Sequence, residues 1–161
     1  MKLKHSKPTF LHALLISGLF ALPLYIGANA NASDATSIVE SRQQKLKELG
    51  KAMKTINQQL KSDSPELSLI QQQARLLSKH AAELPQWFPL GTGQDAGLDT
   101  DALNTIWSQP NDFTARAKDF QLASLALSQK ADKAELATLM KNLKEVKDSC
   151  SGCHKTFRAD D

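Results

Sequence analysis

The stretch Cys150-Ser151-Gly152-Cys153-His154 constrains what this chain can fold into more than any other part of the sequence. A C-x-x-C-H string is the attachment signature of a c-type haem. Two thiols three residues apart on one helical turn can each add to one vinyl group of the same porphyrin. The following imidazole is then presented to the iron from one face. The fold must therefore enclose a large, flat, apolar group near the end of the chain.

Three other uses of this motif are possible in principle. A thioredoxin-type C-x-x-C belongs at the start of a helix that follows a strand, and a zinc site needs four ligands. Beyond the first 32 residues the chain offers only His80 besides the motif itself, and His80 is predicted to be a surface or satisfied residue. A disulfide between such close cysteines inside a helix would be strained. A haem-free thiol-disulfide protein is kept as the remote alternative.

The first 32 residues are typical of a secretory signal peptide. Three lysines within the first seven residues precede an apolar run over 13–26, and small residues follow. We predict cleavage after Ala30 or Ala32, which leaves a single domain over 33–161. An uncleaved anchor is the alternative, but the run is short for a bilayer span of about 20 residues. Because c-type haem is attached outside the cytoplasm, signal and motif together predict a periplasmic protein with no membrane attachment after cleavage.

Cleavage also removes the positive charge excess of the chain. The signal contains three lysines and no acidic residue, so 20 basic against 17 acidic residues become 17 against 17. No basic stretch with interleaved aromatic residues remains, and nucleic acid is therefore not an expected partner. The sequence shows neither a nucleophile–base pair nor a second metal site that would suggest a reaction on a carbon substrate. The chain is therefore not expected to be an enzyme.

Apolar residues recur in steps of three and four along four segments, which predicts amphipathic helices. The segments run from about Asp34 to Lys61, from a start signal at Ser64-Pro65-Glu66 to Leu84-Pro85, from near Asn111, and from near Ala131 to the C-terminus. The last predicted inner stripe comprises Leu136, Leu139, Leu143, Val146, Cys150 and Cys153. No segment alternates as a strand would, so we predict an all-α, antiparallel four-helix bundle with the covalent haem near the C-terminus.

One long irregular stretch, over 85–100, separates the second and third predicted helices. It contains Trp87 and Phe88, which suggests that it folds back over an apolar surface. A short helical turn is predicted from Asp101 to Trp107. In the first helix Gly50 interrupts the pattern, either through simple tolerance or because another group approaches closely there.

Several further sequence features occur in the order and spacing of one known family. They are Arg42-Gln43 followed by Leu46, Leu84-Pro85, Phe88-Pro89, Gly91-Thr92-Gly93, Ile106-Trp107, Phe113 and Phe157-Arg158. With the C-x-x-C-H motif on the last helix, the whole chain after the signal resembles cytochrome c′, a class II c-type cytochrome. The resemblance implies a four-helix bundle that carries one covalent haem c and often forms a homodimer through its first two helices.

The resemblance also implies roles for particular residues. Cys150 and Cys153 would form the haem thioethers, His154 would be the proximal ligand, and Leu46 would block the sixth position of a five-coordinate iron. Arg42, Gln43, Phe113, Phe120 and Arg158 would belong to the haem pocket. Surface exposure for Arg42, Gln43 and Arg158, and plain core packing for Leu46 and the two phenylalanines, are the alternatives.

Leu46 carries the functional expectation. Leucine cannot bind iron or donate a hydrogen bond, so NO and CO are the expected ligands, with little O₂ binding. The alternative is a six-coordinate, low-spin electron carrier with Met53, two turns further along the same helix face, as sixth ligand. The redox partner proteins are not indicated by the sequence.

Overall fold

The computed structural model describes residues 32–159, and the predicted signal peptide lies outside them apart from its last residue. Four long helices form the bundle and a short fifth helix precedes the third of them. The helices are α1 (Ala32–Leu60), α2 (Leu67–Glu83), α3 (Thr105–Ser108), α4 (Pro110–Asp132) and α5 (Leu136–Phe157). The predicted all-α four-helix architecture is confirmed. No helix among residues 32–159 is both long and apolar enough to cross a bilayer.

The bundle core follows the predicted spacing of three and four residues. Each long helix contributes fully buried aliphatic side chains, and burying one of them stabilises the fold by about 1.5–3 kcal/mol. These residues include Ile56, Ile70, Leu77, Leu127, Leu139, Leu143 and Val146. Cys150 and Cys153 are half-buried and pack against this cluster, so the thiols continue the core face of α5 as expected.

The beginning of the last helix differs from the prediction. The last helix was predicted to start near Ala131. Instead α4 continues to Asp132, and α5 begins only at Leu136. Between them Ala134 has a φ of 56°, in the left-handed region. The Glu135 N–H donates to the Lys130 carbonyl at 3.0 Å, which closes the end of α4. Leu136 is 39% exposed, so its assignment to the inner stripe was wrong; periodicity alone cannot show where this turn shifts the helix phase.

The beginning of α2 also differs from the prediction. Ser64 was expected to cap the helix, but the N-cap residue is Glu66 and it makes no side-chain capping bond. The Glu66 N–H donates instead to Gln59 Oε1 of α1 at 2.8 Å. A contact between two helices therefore sets the entry into α2 in place of the local capping interaction.

The irregular stretch between α2 and α3 folds back onto the bundle as expected. Trp87 is buried, and the Trp107 indole N–H donates to the Phe88 carbonyl at 3.0 Å. A Cβ placed on Gly93 would lie 2.5 Å from a ring carbon of Trp107. Only glycine allows this close approach of backbone and indole, which holds the stretch against α3.

Candidate haem site

A cavity of about 940 Å³ opens between α1, α4 and the C-terminal part of α5. This volume lies at the upper end of the ~300–1,000 Å³ found for small-molecule sites. Every residue that sequence analysis assigned to the haem lines it. These are Arg42, Gln43, Leu46, Phe113, Phe120, Cys150, Cys153, His154 and Arg158. Met53, the alternative ligand, lines the same cavity, whereas His80 does not.

Three aromatic rings that contact one another in a row line the cavity. Phe113 of α4 meets Phe88 edge-to-face at 5.1 Å and Phe157 of α5 at 5.4 Å between ring centroids. Such pairs contribute about 0.5–1.5 kcal/mol each beyond their burial. Both predicted roles of Phe113, core packing and pocket lining, therefore apply to one side chain.

Backbone contacts fix the end of α5, and with it the C-x-x-C-H segment. The Leu103 N–H donates to the Phe157 carbonyl at 3.1 Å, and the Ala159 N–H donates to the Asp101 carbonyl at 2.8 Å. The Thr105 hydroxyl donates to the Thr156 carbonyl at 2.6 Å. These bonds tie the last turn of α5 to the segment before α3, so the motif lies on a supported element.

Partial burial shifts the pKa values of the two thiols and of the imidazole. Burial raises the pKa of the Cys150 thiol, and burial together with the neighbouring Cys150 raises the pKa of Cys153 to about 11. Burial and the positive charge of Arg158 lower the pKa of His154, which favours the neutral imidazole that binds a metal. Reactive redox thiols instead have depressed pKa values, so this environment is unlike that of a thiol-disulfide protein.

The donor set therefore fits a covalent haem and does not fit a zinc site. Both cysteines are free, they line an apolar cavity, and the neutral imidazole follows them by one residue. Within residues 32–159 no group of three or more His, Cys, Asp or Glu side chains could hold a metal ion. His80 lies outside the cavity and is bonded through one ring nitrogen: its Nε2 is 3.1 Å from Glu48 Oε2, whereas its buried Nδ1 has no hydrogen-bond partner among the described residues.

Arg42 is not the surface residue that was considered as one alternative. It is only 2% exposed, and although it lines the cavity its guanidinium binds the long irregular stretch. Nη1 donates to Thr92 Oγ1 at 3.0 Å, while Nη2 donates to the Thr92 carbonyl at 2.9 Å and to Thr100 Oγ1 at 2.8 Å. Burial lowers its pKa to about 10, so it stays charged at neutral pH. Next to it, Gln43 Nε2 donates to the Asp99 carbonyl at 2.9 Å.

The cavity also contains cationic residues that sequence reasoning missed. Arg116 lies one turn past Phe113 and one turn before Phe120, and that spacing could have identified it. Lys54 of α1 and Lys147 of α5 also line the cavity, and Lys147 Nζ donates to Asn57 Oδ1 of α1 at 3.1 Å. No pattern in the local sequence indicates that Lys54 and Lys147 line one cavity, because they come from α1 and α5.

Comparisons with known proteins agree with this geometry. The sequence is 35% identical to cytochrome c′ from Pararhodospirillum photometricum over 121 residues, which cover 74% of this chain and 94% of that protein. It is 32% identical to cytochrome c′ from Rhodospirillum rubrum over 132 residues, which cover 81% and 88%.

The fold has a similar solved counterpart. The structure resembles a nitric oxide complex of a mutant cytochrome c′ from Alcaligenes xylosoxidans, with a TM-score of 0.71 and 24% identity over 79% of this chain and 97% of that chain. The family model described as cytochrome C′ matches residues 37–158, which include the whole cavity wall from Arg42 to Arg158. The chain therefore belongs to the cytochrome c′ family, whose proteins carry a covalently attached c-type haem.

Proposed function

We propose that this chain is a periplasmic haem protein with a five-coordinate iron that transfers electrons and binds NO or CO. The observation that carries the proposal is the cavity itself. Its α5 wall holds Cys150, Cys153 and His154, and its α1 wall presents Leu46. A covalent haem c supplies an iron that changes between the ferric and ferrous states and can take a diatomic gas as ligand.

In this proposal the α5 residues hold the cofactor. Cys150 and Cys153 form the thioethers, and His154 is the proximal ligand. The neutral state of the imidazole, favoured by burial and by Arg158, suits this role. The bonds from Leu103 and Ala159 to the end of α5 keep these side chains in place.

Leu46 decides which ligands can enter. It lines the cavity from α1 and is 37% exposed, so its side chain reaches into the cavity instead of the core. An aliphatic side chain neither binds iron nor donates a hydrogen bond. NO and CO depend less on a distal donor than O₂ does, so they are the ligands we propose. The solved structure of similar fold from Alcaligenes xylosoxidans is itself a nitric oxide complex.

Met53 supports a second candidate function. Its side chain is half-buried, packs against the core and lines the same cavity. With Met53 as sixth ligand the chain would be a low-spin electron carrier, because a methionine sulfur raises the reduction potential.

The optical spectrum of the protein matured in a bacterial periplasm distinguishes these functions. A high-spin ferric spectrum is expected for the five-coordinate iron. A low-spin spectrum with a sulfur-to-iron charge-transfer band would favour Met53. A protein without a Soret band would contradict both and leave the thiol-disulfide alternative.

The location and assembly of the chain are part of the same proposal. A cleaved signal would deliver the domain to the periplasm, where c-type haem is attached. A homodimer through α1 and α2 is expected from the family resemblance. Analytical ultracentrifugation of the mature holoprotein measures this assembly, and a monomer at micromolar concentration would contradict it.

A further inference from the structure

The wall of the haem cavity carries far more positive than negative side chains. Among the described residues its basic members are Arg42, Lys47, Lys54, Arg116, Lys147 and Arg158, and Asp101 is its single carboxylate. The guanidinium of Arg42 is hydrogen-bonded to the irregular stretch, and Arg116 Nη1 lies 3.7 Å from Asp119 Oδ2. Because the chain beyond the signal has equal numbers of basic and acidic residues, this excess is local.

Three of the lysines near the cavity form a row on α1, here called the lysine ridge: Lys47, Lys51 and Lys54. They follow at steps of four and three residues, share one helix face and are exposed. Across residues 32–159, none of the three is paired with a carboxylate. Like charges at this spacing repel one another and weaken a helix, so the ridge does not serve the stability of α1.

Glu48 is the acidic residue within the ridge segment, but it is held elsewhere. Its Oε2 lies 3.1 Å from His80 Nε2 of α2, and its Oε1 accepts from Gln44 at 3.4 Å. These hydrogen bonds hold the pKa of Glu48 below its usual value. The carboxylate therefore faces α2 and leaves the ridge uncompensated.

Lys147 of α5 places a further positive charge beside the α1 lysines at the cavity. Its Nζ donates to Asn57 Oδ1, one turn beyond Lys54, at 3.1 Å. Asn57 is neutral, so this bond fixes the position of the ammonium group without cancelling its charge. Positive charge thus flanks the mouth from both α1 and α5.

We propose that the lysine ridge and Lys147 form a docking surface for an acidic face of a partner protein that exchanges single electrons with this chain. The inference rests on the proposed function, because it requires a redox-active haem in the cavity. The two propionates of a haem would neutralise only part of the positive charge at the mouth. An anionic lipid surface would also be attracted, but it exchanges no electrons with the site and the ridge offers no exposed aromatic anchor.

Oxidation of the reduced holoprotein by ferricyanide, an anionic probe of the docking surface, tests the charge directly. One electron passes from the ferrous protein to ferricyanide, giving the ferric protein and ferrocyanide. Lys51 does not line the cavity, whereas Lys54 does, so the single variant K51E is measured beside the double variant K51E/K54E and should show the same direction of change. We expect K51E/K54E to lower the second-order rate constant roughly tenfold at about 0.1 M ionic strength. The difference should vanish near 1 M salt, where the Debye length is about 3 Å.

The matched control is K79E/K118E, which makes the same change in net charge with two exposed lysines that do not line the cavity. Its rate should stay within about twofold of the unmodified protein, because at about 0.1 M ionic strength charges more than about 10 Å from the mouth are largely screened. Equal losses in both variants, or a loss in K51E/K54E that persists at high salt, would overturn the proposal. An unchanged Soret spectrum in every variant separates this result from a failure of haem attachment.

Binding to two polyanions then identifies the class of partner. Poly-L-glutamate should bind the holoprotein at low salt, and K51E/K54E should abolish that binding while K79E/K118E retains it. Vesicles of phosphatidylglycerol serve as the lipid probe. Ridge-dependent binding to the vesicles without binding to poly-L-glutamate would overturn the protein partner in favour of a membrane surface.

Discussion

Replacement of Arg42 by methionine tests how the bundle holds the wall of its cavity. Methionine keeps most of the apolar stem and removes the guanidinium, which donates three hydrogen bonds of 2.8–3.0 Å to Thr92 and Thr100. Bonds to a charged group are worth about 1.5–3 kcal/mol each, roughly 5–9 kcal/mol together. The burial that lowers the Arg42 pKa to about 10 offsets about 3 kcal/mol of this.

The expected loss in the free energy of unfolding for R42M is therefore about 2–6 kcal/mol, the difference between these two contributions. R42K keeps the charge but not the planar fork, so it should lose less. Urea unfolding of the holoprotein, followed by far-ultraviolet circular dichroism, measures both values. The m-value should stay constant if only native-state stability has changed.

Arg75 provides the control, because it is an exposed arginine paired with Asp132. R75M should cost about 1 kcal/mol or less. Amide hydrogen exchange should rise in R42M around Thr92 and Thr100, and the haem spectrum should remain that of the unmodified protein. A loss for R42M no larger than that for R75M, accompanied by a changed spectrum, would show that Arg42 serves the cofactor and not the irregular stretch.

The remaining predictions concern two other positions. L46A should raise the CO association rate constant about tenfold, or ~1.4 kcal/mol in activation free energy, because it removes the proposed distal blocker; L122A, on the exposed face of α4, is the control, and an unchanged rate in L46A would count against the blocker. G93A should lower the free energy of unfolding by about 1–3 kcal/mol, since its Cβ would lie 2.5 Å from Trp107. G50A, whose Cβ meets no protein atom within 4 Å, should instead gain up to ~1 kcal/mol of helix propensity in urea unfolding; equal losses for the two alanine variants would refute the steric argument at Gly93.

Local spacing predicted most of the fold. Four stripes of apolar residues in steps of three and four correspond to the four long helices, because amphipathic periodicity depends only on neighbours along the chain. The errors occurred where a turn or another helix intervened. Leu136 left the inner stripe because Ala134 breaks the helix before it, and Ser64 lost its capping role because the Glu66 N–H turns to Gln59 of α1.

The five consecutive residues from Cys150 to His154 likewise indicated the identity of the cofactor. Two thiols and an imidazole at fixed spacing are sufficient to indicate a covalent haem, and Leu46 was placed by its offset from Arg42-Gln43 in a family resemblance. The location of all these residues around one cavity required the folded chain, since Leu46 and Cys150 belong to opposite ends of the sequence.

Arg42 marks the limit of what this sequence determined by itself. On a helix it was equally consistent with an exposed side chain, yet its hydrogen-bond partners Thr92 and Thr100 lie 50 and 58 residues away along the chain. The same holds for the positive mouth of the cavity, where Lys147 of α5 donates to Asn57 of α1, three residues after Lys54. Helix pattern and cofactor were determined locally. Burial and electrostatic environment were decided only by the tertiary structure, because both depend on contacts between residues remote in sequence.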